Sequence, residues 1–320
     1  MSEPTATNDL TNWPVEESAG APASELLQEV LRLAAESREA DGNPPFSEQT
    51  LLDLRSPAFP GHLFTCRSGD GGEPSGAPLA GAAVLIPGGD GPAVAELAVH
   101  PTYRGKGAGT ALAAAVLATG AAPSAWSHGN HEAAGQLAAR FGYAPVRELW
   151  KMRLTRSSLD EPLPAPVLPP GVRLRAFEPG RDEDAWLAAN AAAFAHHPEQ
   201  GSLTRADLDA RMAEDWFDPA GFLLAERTDD GALLGFHWTK VHAGSAGHPD
   251  VGEVYVVGVV PEAQGTGLGK ALTLAGIDHL HRAGLESIML YVDADNAPAV
   301  ALYRRLGFVR WDVDVMYAKR

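Results

Sequence analysis

The sequence predicts an α/β fold in two tandem domains, each with a mixed central sheet flanked by helices. Three observations support this prediction: the length, an internal repeat, and a recurring order of apolar strands and helical segments. The chain has 320 residues, about twice the usual domain length of roughly 150. We therefore expect each half to contain a hydrophobic core of its own.

An internal repeat relates the two halves. The segment Leu97-Ala98-Val99-His100-Pro101 aligns with Val257-Gly258-Val259-Val260-Pro261 at an offset of 261 − 101 = 160. A glycine loop begins three residues after each proline, and the two loops are Arg104-Gly105-Lys106-Gly107-Ala108-Gly109 and Gln264-Gly265-Thr266-Gly267-Leu268-Gly269. A second pair of blocks, Leu137–Tyr143 and Leu302–Phe308, follows at an offset of 307 − 142 = 165. Matched blocks in the same order indicate duplication of one domain.

The second half displays the order of elements most clearly. Val251–Val260 is apolar and β-branched, as expected of a strand that is buried on both faces. After the glycine loop, Lys270–Ala283 has the composition of a helix. Ser287–Val292 is a second predicted strand, and Ala297–Leu306 is a second predicted helix, which ends at a glycine. This succession predicts an α/β unit.

A proline-rich segment separates the halves. Five prolines lie between Glu161 and Gly171, and each fixes φ and removes a backbone donor. We therefore expect a mobile tail over residues 1–20, a first domain over 21–155, a linker over 156–171 and a second domain over 172–320. The glycine-rich residues 68–78 predict a flexible loop inside the first domain.

Charge and cysteine content exclude several classes of protein. The formal charge is 25 − 41 = −16, which disfavours nucleic acid and anionic membranes as partners. Cys66 is the single cysteine, so neither an intrachain disulfide nor a thiolate-ligated metal cluster is expected. The N-terminal sequence does not resemble a secretory signal, and the alanine-rich run Ala111–Ala118 is too short to span a bilayer. We expect a cytoplasmic monomer.

The glycine loops are suited to binding phosphate. Alternating glycines let successive N–H groups point to one place at a helix N-terminus, where the helix dipole favours an anion. A P-loop requires a glycine where this chain has Gln264 and a hydroxyl residue where it has Ala271. A dinucleotide fingerprint requires its third glycine at Lys270. The spacing therefore disfavours both ATP and a dinucleotide.

The loop pattern Arg/Gln-x-x-Gly-x-Gly/Ala, with Asn296, Tyr303 and Gly307-Phe308 downstream, resembles the acyl-CoA core of the GNAT N-acetyltransferases. This resemblance covers most of both halves and implies acetyl-CoA as co-substrate, with no metal. In the second copy it implies cofactor contacts from Val257-Gly258-Val259, from Gln264 through Lys270, and from Asn296-Ala297-Pro298-Ala299-Val300-Ala301. In the first copy it implies contacts from Leu97-Ala98-Val99 and from Arg104 through Gly109. The N–H of Val259 is expected to polarise the thioester carbonyl.

Three segments of the second half, His197–Gly201, Gly235–His242 and Gly252–Val256, are similar to one group of two-domain GNAT enzymes. This closer resemblance implies acetyl transfer to the cysteinyl amine of a cysteinyl-glucosaminyl-inositol, a small-molecule substrate. It also implies a substrate site that consists of Glu48, Glu199, Lys240, Glu253 and Tyr291. Several charged hydrogen-bonding groups suit a polyol. The alternative for Glu199 and Lys240 is a solvated surface charge.

Two residues are predicted to transfer protons. Glu253 lies in an otherwise apolar strand, where a carboxylate without a partner is costly. We expect it to accept a proton from the substrate ammonium, directly or through water; the alternative is a carboxylate that only contacts substrate. Because an α-amine has a pKa of about 8, about a tenth of it is neutral at pH 7. The GNAT resemblance implies that Tyr303 protonates the leaving thiolate; the alternative is a core tyrosine.

The first copy lacks both proton-transfer residues. At the two offsets, Glu253 corresponds to Ala93 and Tyr303 to Ala138. Alternation along the strand is expected to place the nearby Glu96 out of register with Glu253. We therefore expect the first domain to bind acetyl-CoA structurally or not at all, and the second domain to be catalytic.

The sequence is also compatible with two other functions. One is a tandem GNAT enzyme that acetylates another primary amine, such as a peptide N-terminus or an aminoglycoside. The other is a non-catalytic sensor that binds acyl-CoA, against which the presence of both Glu253 and Tyr303 argues. For His196 and His197, a loop position is favoured over metal binding, because no third ligand has suitable spacing.

Overall fold

The computed structural model describes residues 13–69, 77–88, 91–195, 200–244 and 249–319. The chain forms two compact units, one of residues 1–148 with 313–320 and one of residues 149–312. Much of the glycine-rich loop expected at 68–78 lies outside the described residues. In the described part of the chain, none of the helices is long and apolar enough to cross a bilayer.

The unit boundaries differ from the expected domain boundaries in three places. Residues 15–19 of the expected tail form a strand. Residues 149–155 of the expected first domain and the proline-rich residues 156–171 belong to the second unit, where Leu159 and Leu163 pack against its core. The C-terminal residues 313–320 belong to the first unit.

The first unit is an α/β structure with a mixed sheet. Its elements are β1 (Val15–Ala19), α1 (Ser24–Asp41), α2 (Glu48–Arg55), β2 (His62–Arg67), β3 (Leu79–Ile86), β4 (Val94–Val99), α3 (Ala108–Ala118), β5 (Ser124–Ser127), α4 (Glu132–Arg140), the start of β6 (Tyr143–Thr155) and the end of β12 (Val309–Lys319). The strand order is β1-β2-β3-β4-β5-β12. Neighbouring strands are antiparallel except β4 and β5, which are parallel.

The second unit repeats this plan. It contains the end of β6, β7 (Val172–Ala176), α5 (Glu183–Ala193), α6 (Arg205–Met212), β8 (Phe222–Arg227), β9 (Leu233–His242), β10 (Val251–Val259), α7 (Leu268–Arg282), β11 (Ser287–Asp293), α8 (Ala297–Arg305) and the start of β12. The strand order is β7-β8-β9-β10-β11-β6, and only β10 and β11 are parallel. The two strands and two helices predicted for this half are confirmed, with their ends shifted by one or two residues.

Two apolar clusters support the sheet of the second unit. Beneath β8 and β9, the ring of Trp238 stacks on Phe222 at a centroid distance of 4.3 Å, and Trp186 of α5 contacts both rings edge-on. On α7 and β11, Ile277, Leu280, Ile288 and Leu290 are buried together. Because β10 lies between these clusters, its backbone is held on both sides.

A histidine is also buried in this core. His237 of β9 is fully buried, and its Nδ1 lies 2.7 Å from the carbonyl oxygen of Leu272. The ring packs on Gly276 of α7, where a Cβ atom would collide with it. Burial lowers the pKa of His237 to about 4, whereas an unfolded histidine has a pKa of about 6.5. The unfolded chain therefore binds more protons between these values, and stability is lost as the pH falls through this window.

We expect this histidine to reduce the free energy of unfolding by about 3 kcal/mol between pH 7 and pH 4. The variant His237→Asn tests this, because an amide can still donate to the Leu272 carbonyl but does not titrate. Urea unfolding of both proteins at pH 7, 6 and 5 should give a steeper loss of stability for the unchanged chain. Parallel pH dependences would contradict the assignment.

Candidate active site

Strands β10 and β11 separate along their length. They pair in parallel only from Val251 opposite Ser287 to Val254 opposite Leu290, although both strands continue beyond these residues. The end of β10 stays paired with β9, with a register shift between Val254 and Val256 that marks a β-bulge. A gap therefore opens between β10 and β11, and main-chain groups of β10 face it.

The direction of the Val259 amide follows from its neighbour. The amide of Val260 donates to the carbonyl oxygen of Leu234 on β9 at 3.1 Å. Successive N–H groups of a strand point in opposite directions, so the Val259 amide points toward the gap. This is the orientation that polarisation of a thioester carbonyl requires.

The second glycine loop leads from this strand into α7. Gly265 and Gly267 have φ values of +76° and +88°, which disfavour any other residue, and α7 begins at Leu268. The side chain of Gln264 donates to the carbonyl oxygen of Val259 at 3.1 Å, which joins the loop to the end of β10. A Cβ atom at either glycine would meet nothing within 4 Å. The loop therefore presents open space at the N-terminus of α7, as a diphosphate site requires.

The start of α8 is the third segment expected to contact the cofactor. Asn296 caps this helix, and its Oδ1 accepts from the amide of Ala299 at 3.2 Å. Ala297 and Pro298 are exposed. Val300, in contrast, is buried in the core of the second unit. Any contact of Val300 with a cofactor would therefore involve its backbone, because its side chain packs inside the protein.

Glu253 lies on the sheet face opposite α7. A Cβ atom on the preceding Gly252 would lie 3.0 Å from Leu280 of α7, and alternation directs the next side chain away from that helix. Glu253 is only 5% exposed. Its Oε2 lies 2.5 Å from Nε2 of His242 on β9. The carboxylate is therefore buried and has a hydrogen-bonding partner.

Lys240 is buried against aromatic rings beside this carboxylate. It lies opposite Glu253 in the β9–β10 pairing and is 8% exposed. Its Nζ is 4.3 Å from the ring centroid of Trp216 and 5.1 Å from that of Tyr255, so both rings contribute cation–π stabilisation. The Tyr255 hydroxyl accepts from Nε of Arg211 at 2.9 Å. The alternative of a solvated charge at Lys240 is therefore excluded.

The two candidate tyrosines have different surroundings. Tyr303 packs on Phe308 at a centroid distance of 5.7 Å, and burial raises the pKa of its phenol to about 12. It therefore remains protonated at neutral pH and is able to donate. Tyr291 is 36% exposed and lies two residues beyond Met289, the residue opposite Glu253. Alternation places Tyr291 on the same face as Glu253.

The other two predicted substrate residues are Glu48 and Glu199. Glu48 is the first residue of α2 in the first unit, where Ser47 caps the helix by accepting from the Thr50 amide at 3.1 Å. Glu199 lies outside the described residues, as do His196 and His197. The structure therefore brings Glu253, Lys240 and Tyr291 to one face of one sheet.

Sequence reasoning missed His242, Arg211, Trp216 and Tyr255 as members of this cluster. Strand alternation was sufficient to find His242, because it lies two residues after Lys240 on the same strand. Arg211 lies on α6 and Trp216 follows that helix. Their contacts with Lys240 and Tyr255 join segments far apart in the chain, for which no sequence pattern gives a signal.

The first unit also contains a glycine loop, which lines a cavity. A cavity of about 460 Å³ is lined by Val99, Gly105 and Gly107, among other residues. Arg104 donates to both carboxylate oxygens of Asp41, at 2.6 and 2.8 Å, and to the Val99 carbonyl at 3.0 Å. Asp41 therefore offsets the positive charge of this loop.

Strand register changes the expected correspondence between the two copies. Val94 of β4 is opposite Ser124, and Glu253 is opposite Met289, which is the equivalent of Ser124 at the offset of 165. The equivalent of Glu253 is therefore Val94, at an offset of 253 − 94 = 159, and the expected Ala93 was wrong by one residue. The cause is the bulge in β10, which adds one residue to this strand.

The same register corrects the expectation for Glu96. It lies two residues after Val94 and so on the face that corresponds to Glu253. Its oxygens lie 2.8 Å from the amide of Ser47 and 3.1 Å from Nε2 of His128, whose Nδ1 is 2.9 Å from Asp314. Burial alone lowers the pKa of His128, but hydrogen bonds to Asp314 and Glu96 outweigh burial and raise the pKa to about 9. The imidazole is therefore protonated at neutral pH and cannot accept a proton.

Comparison with known families agrees with this architecture. The acetyltransferase (GNAT) family pattern matches residues 27–143 and 187–308, which lie in the first and second units. Among solved structures, a GCN5-related N-acetyltransferase from Sphaerobacter thermophilus is 28% identical, with a TM-score of 0.66 and 94% of each chain covered. A tandem GNAT protein from the clavulanic acid biosynthesis pathway is 22% identical and has a TM-score of 0.70 over 95% of this chain. This second likeness concerns the fold alone.

Curated relatives are similar over almost the whole chain. The mycothiol acetyltransferase of Paenarthrobacter aurescens (strain TC1) is 61% identical and covers 96% of both chains. The mycothiol acetyltransferase of Streptomyces coelicolor is 52% identical, with 97% of this chain and 98% of the relative covered. Both units therefore have counterparts in these relatives.

Proposed function

We propose that this chain, which belongs to the acetyltransferase (GNAT) family, transfers acetyl from acetyl-CoA to the cysteinyl amine of a cysteinyl-glucosaminyl-inositol. This is the last step of mycothiol biosynthesis. The family match and the curated relatives show that the chain is an acetyl-CoA-dependent N-acetyltransferase. The choice of acceptor rests on one observation. The chain is 52–61% identical over nearly its full length to enzymes named mycothiol acetyltransferase.

The residues of the second unit fit acetyl-CoA. Open space at Gly265 and Gly267 suits the diphosphate, which the first amides of α7 would bind. The gap between β10 and β11 suits the extended pantetheine arm, with the Val259 amide directed toward the thioester oxygen. Bound in this way, acetyl-CoA supplies an activated acyl group and a thiol leaving group. Strands β10 and β11 are parallel and α8 begins four residues after β11, so the exposed start of α8 lies at the same end of the sheet as the glycine loop.

Glu253 and Val259 have complementary roles in this mechanism. The carboxylate of Glu253 accepts a proton from the substrate ammonium, directly or through water, and leaves a neutral amine that attacks the thioester carbonyl. The amide of Val259 stabilises the negative charge that develops on the carbonyl oxygen. Because deprotonation alone accounts for about 1.4 kcal/mol at pH 7, orientation of the amine contributes at least as much.

Tyr303 is the proposed donor to the leaving thiolate. Replacement by phenylalanine is expected to lower kcat by about tenfold to a hundredfold with little change in KM, since the hydroxyl acts as the C–S bond breaks. The raised pKa of about 12 keeps this phenol protonated across the working pH range. Steady-state kinetics measure the effect. A proportional increase in KM with unchanged kcat would instead indicate a binding role.

The acceptor is proposed to contact Lys240, Glu253 and Tyr291, which lie on one sheet face of the second unit. Glu48 and Glu199 remain proposals from the family resemblance. A polyol offers many hydroxyls, and buried charged groups bind them with stronger hydrogen bonds than neutral groups do. We expect a small-molecule acceptor and neither nucleic acid nor a membrane surface, because the net charge is −16.

Product analysis by mass spectrometry tests the proposed function. The full chain is incubated with acetyl-CoA and cysteinyl-glucosaminyl-inositol, a peptide with a free N-terminus, or an aminoglycoside. Preferential acetylation of the first amine is the expected result. Preference for another amine would identify a different acceptor, and binding of acetyl-CoA without any product would favour a sensor. Mass detection avoids thiol-reactive dyes, with which the thiol of the acceptor would itself react.

A further inference from the structure

The buried base has one ring partner that reaches toward solvent. The Glu253 side chain is 6% exposed, whereas the His242 side chain, whose Nε2 lies 2.5 Å from Oε2 of Glu253, is 31% exposed. A buried carboxylate that accepts a proton in each turnover must release it before the next one. Imidazole both accepts and donates protons near neutral pH, so a ring between a buried acid and solvent is suited to pass a proton from one to the other.

We propose that His242 carries the proton from Glu253 to water after each acetyl transfer. The proposal rests on the proposed role of Glu253 as base. The substrate ammonium gives one proton to the carboxylate, which gives it to Nε2 of His242. The resulting imidazolium releases a proton from Nδ1 to water, and proton exchange with water restores the starting tautomer. Each proton that leaves the amine thus reaches solvent, and both side chains return to their initial state.

Several charged groups lie on the neighbouring strands. Lys240 is opposite Glu253 on β9, and Arg153 of β6 is opposite Met289 of β11. Asp250 accepts from the amide of Gly244, in the connection between β9 and β10. These groups are the same in both His242 variants and in the unchanged chain, so differences among these three proteins arise from residue 242.

A purely structural role for His242 makes a different prediction. In that role, the ring only holds the carboxylate in place by donating a hydrogen bond. The variant His242→Gln separates the two roles, because an amide nitrogen can take the place of Nε2 as donor but cannot transfer a proton. His242→Ala removes both functions and leaves room for a small base from solution.

The experiment measures kcat at saturating acceptor and acetyl-CoA, at pH 7 and pH 9, by product mass. At pH 7 we expect both variants to lose about tenfold, because they depend on the tenth of the amine that is already neutral. Added imidazole should restore the rate of His242→Ala and should not raise the rate of the unchanged enzyme. At pH 9 the losses should disappear, since an amine with a pKa of about 8 is then mostly neutral.

The matched control is His62→Ala. This histidine also pairs with a glutamate, Glu17, at 2.7 Å, and its side chain is 38% exposed, but it lies in the first unit. Its loss should leave activity unchanged at both pH values with or without imidazole. Rates of the His242 variants are compared only if their unfolding curves agree with that of the unchanged chain.

Two results would overturn the relay. Full activity of His242→Gln at pH 7 would show that the histidine only holds the carboxylate in place. Equal losses at pH 7 and 9, without rescue by imidazole, would exclude proton transfer through the histidine. The comparison uses whichever amine the enzyme acetylates, so a wrong acceptor does not affect it. If Glu253→Gln is fully active, the proposed base itself is wrong; if Glu253→Gln is impaired and both His242 variants are normal, only the relay is wrong.

Discussion

Replacing Glu253 by glutamine is expected to lower kcat at pH 7 by about two to three orders of magnitude. The change removes the proton acceptor while keeping size and hydrogen-bonding capacity at a site that is 5% exposed. Loss of the base alone accounts for about tenfold, because about a tenth of the substrate amine is already neutral. The remainder reflects orientation of the amine, which a neutral amide holds less strongly than a carboxylate does.

The pH dependence of this loss distinguishes its two components. At pH 9 the component that depends on deprotonation should vanish, and the component that depends on orientation should remain. Steady-state kinetics from pH 6 to 9 with product detection by mass measure both. A loss that does not change with pH would indicate that Glu253 only positions the acceptor.

Glu96→Gln in the first unit is the matched control. Glu96 is also a buried strand glutamate, 2% exposed, with a histidine partner at 3.1 Å. If the second unit alone is catalytic, this variant should keep the kcat of the unchanged chain, although its stability is expected to fall because His128 loses an ionised partner. Loss of turnover in a well-folded Glu96→Gln protein would contradict a non-catalytic first unit.

Replacing Gly267 by valine is expected to lower kcat/KM for acetyl-CoA by about a hundredfold or more. The residue has a φ of +88° and is the N-cap of α7, and its open side faces the space proposed for the diphosphate. A β-branched side chain there is strained and fills that space. Binding of acetyl-CoA by calorimetry and steady-state kinetics would measure the loss.

Two comparisons separate occlusion from strain. Gly231→Val introduces a similar strain, at a φ of +74° with nothing within 4 Å of a Cβ atom, in the β8–β9 turn. It should reduce stability and leave acetyl-CoA binding unchanged. Gly107→Val alters the corresponding position of the first loop, where φ is +97°. If only the second copy turns over, this variant should retain kcat; a loss equal to that of Gly267→Val would show that catalysis requires both loops.

Much of the architecture could be predicted from local sequence. Apolar β-branched runs, helical composition and terminal glycines gave the strands and helices around Glu253 with errors of one or two residues, because these signals are properties of neighbouring residues. The duplication was visible because two blocks recur in the same order. The domain boundaries were less predictable. Strands β6 and β12 each contribute residues to both units, and a proline-rich segment carries no information about such an exchange.

The site was only partly predictable for a related reason. Glu253 stood out as a carboxylate in an apolar strand, and the loop glycines stood out by spacing. The bulge in β10 left no mark in the sequence, so the correspondence with the first copy was in error by one residue. The burial of Lys240 on Trp216 was also not visible, because these residues are on a strand and a distant connection.

By itself, the sequence determined that this protein is a duplicated α/β chain with two glycine loops and one carboxylate, Glu253, in an otherwise apolar strand. Those features depend on residue type and spacing along the chain, which folding does not alter. Only the tertiary structure decided that His242 touches Glu253, that aromatic rings cover Lys240, and that Val94 occupies the position of Glu253 in the first copy. These depend on strand register and on contacts between distant segments, and both are set by packing of the whole unit.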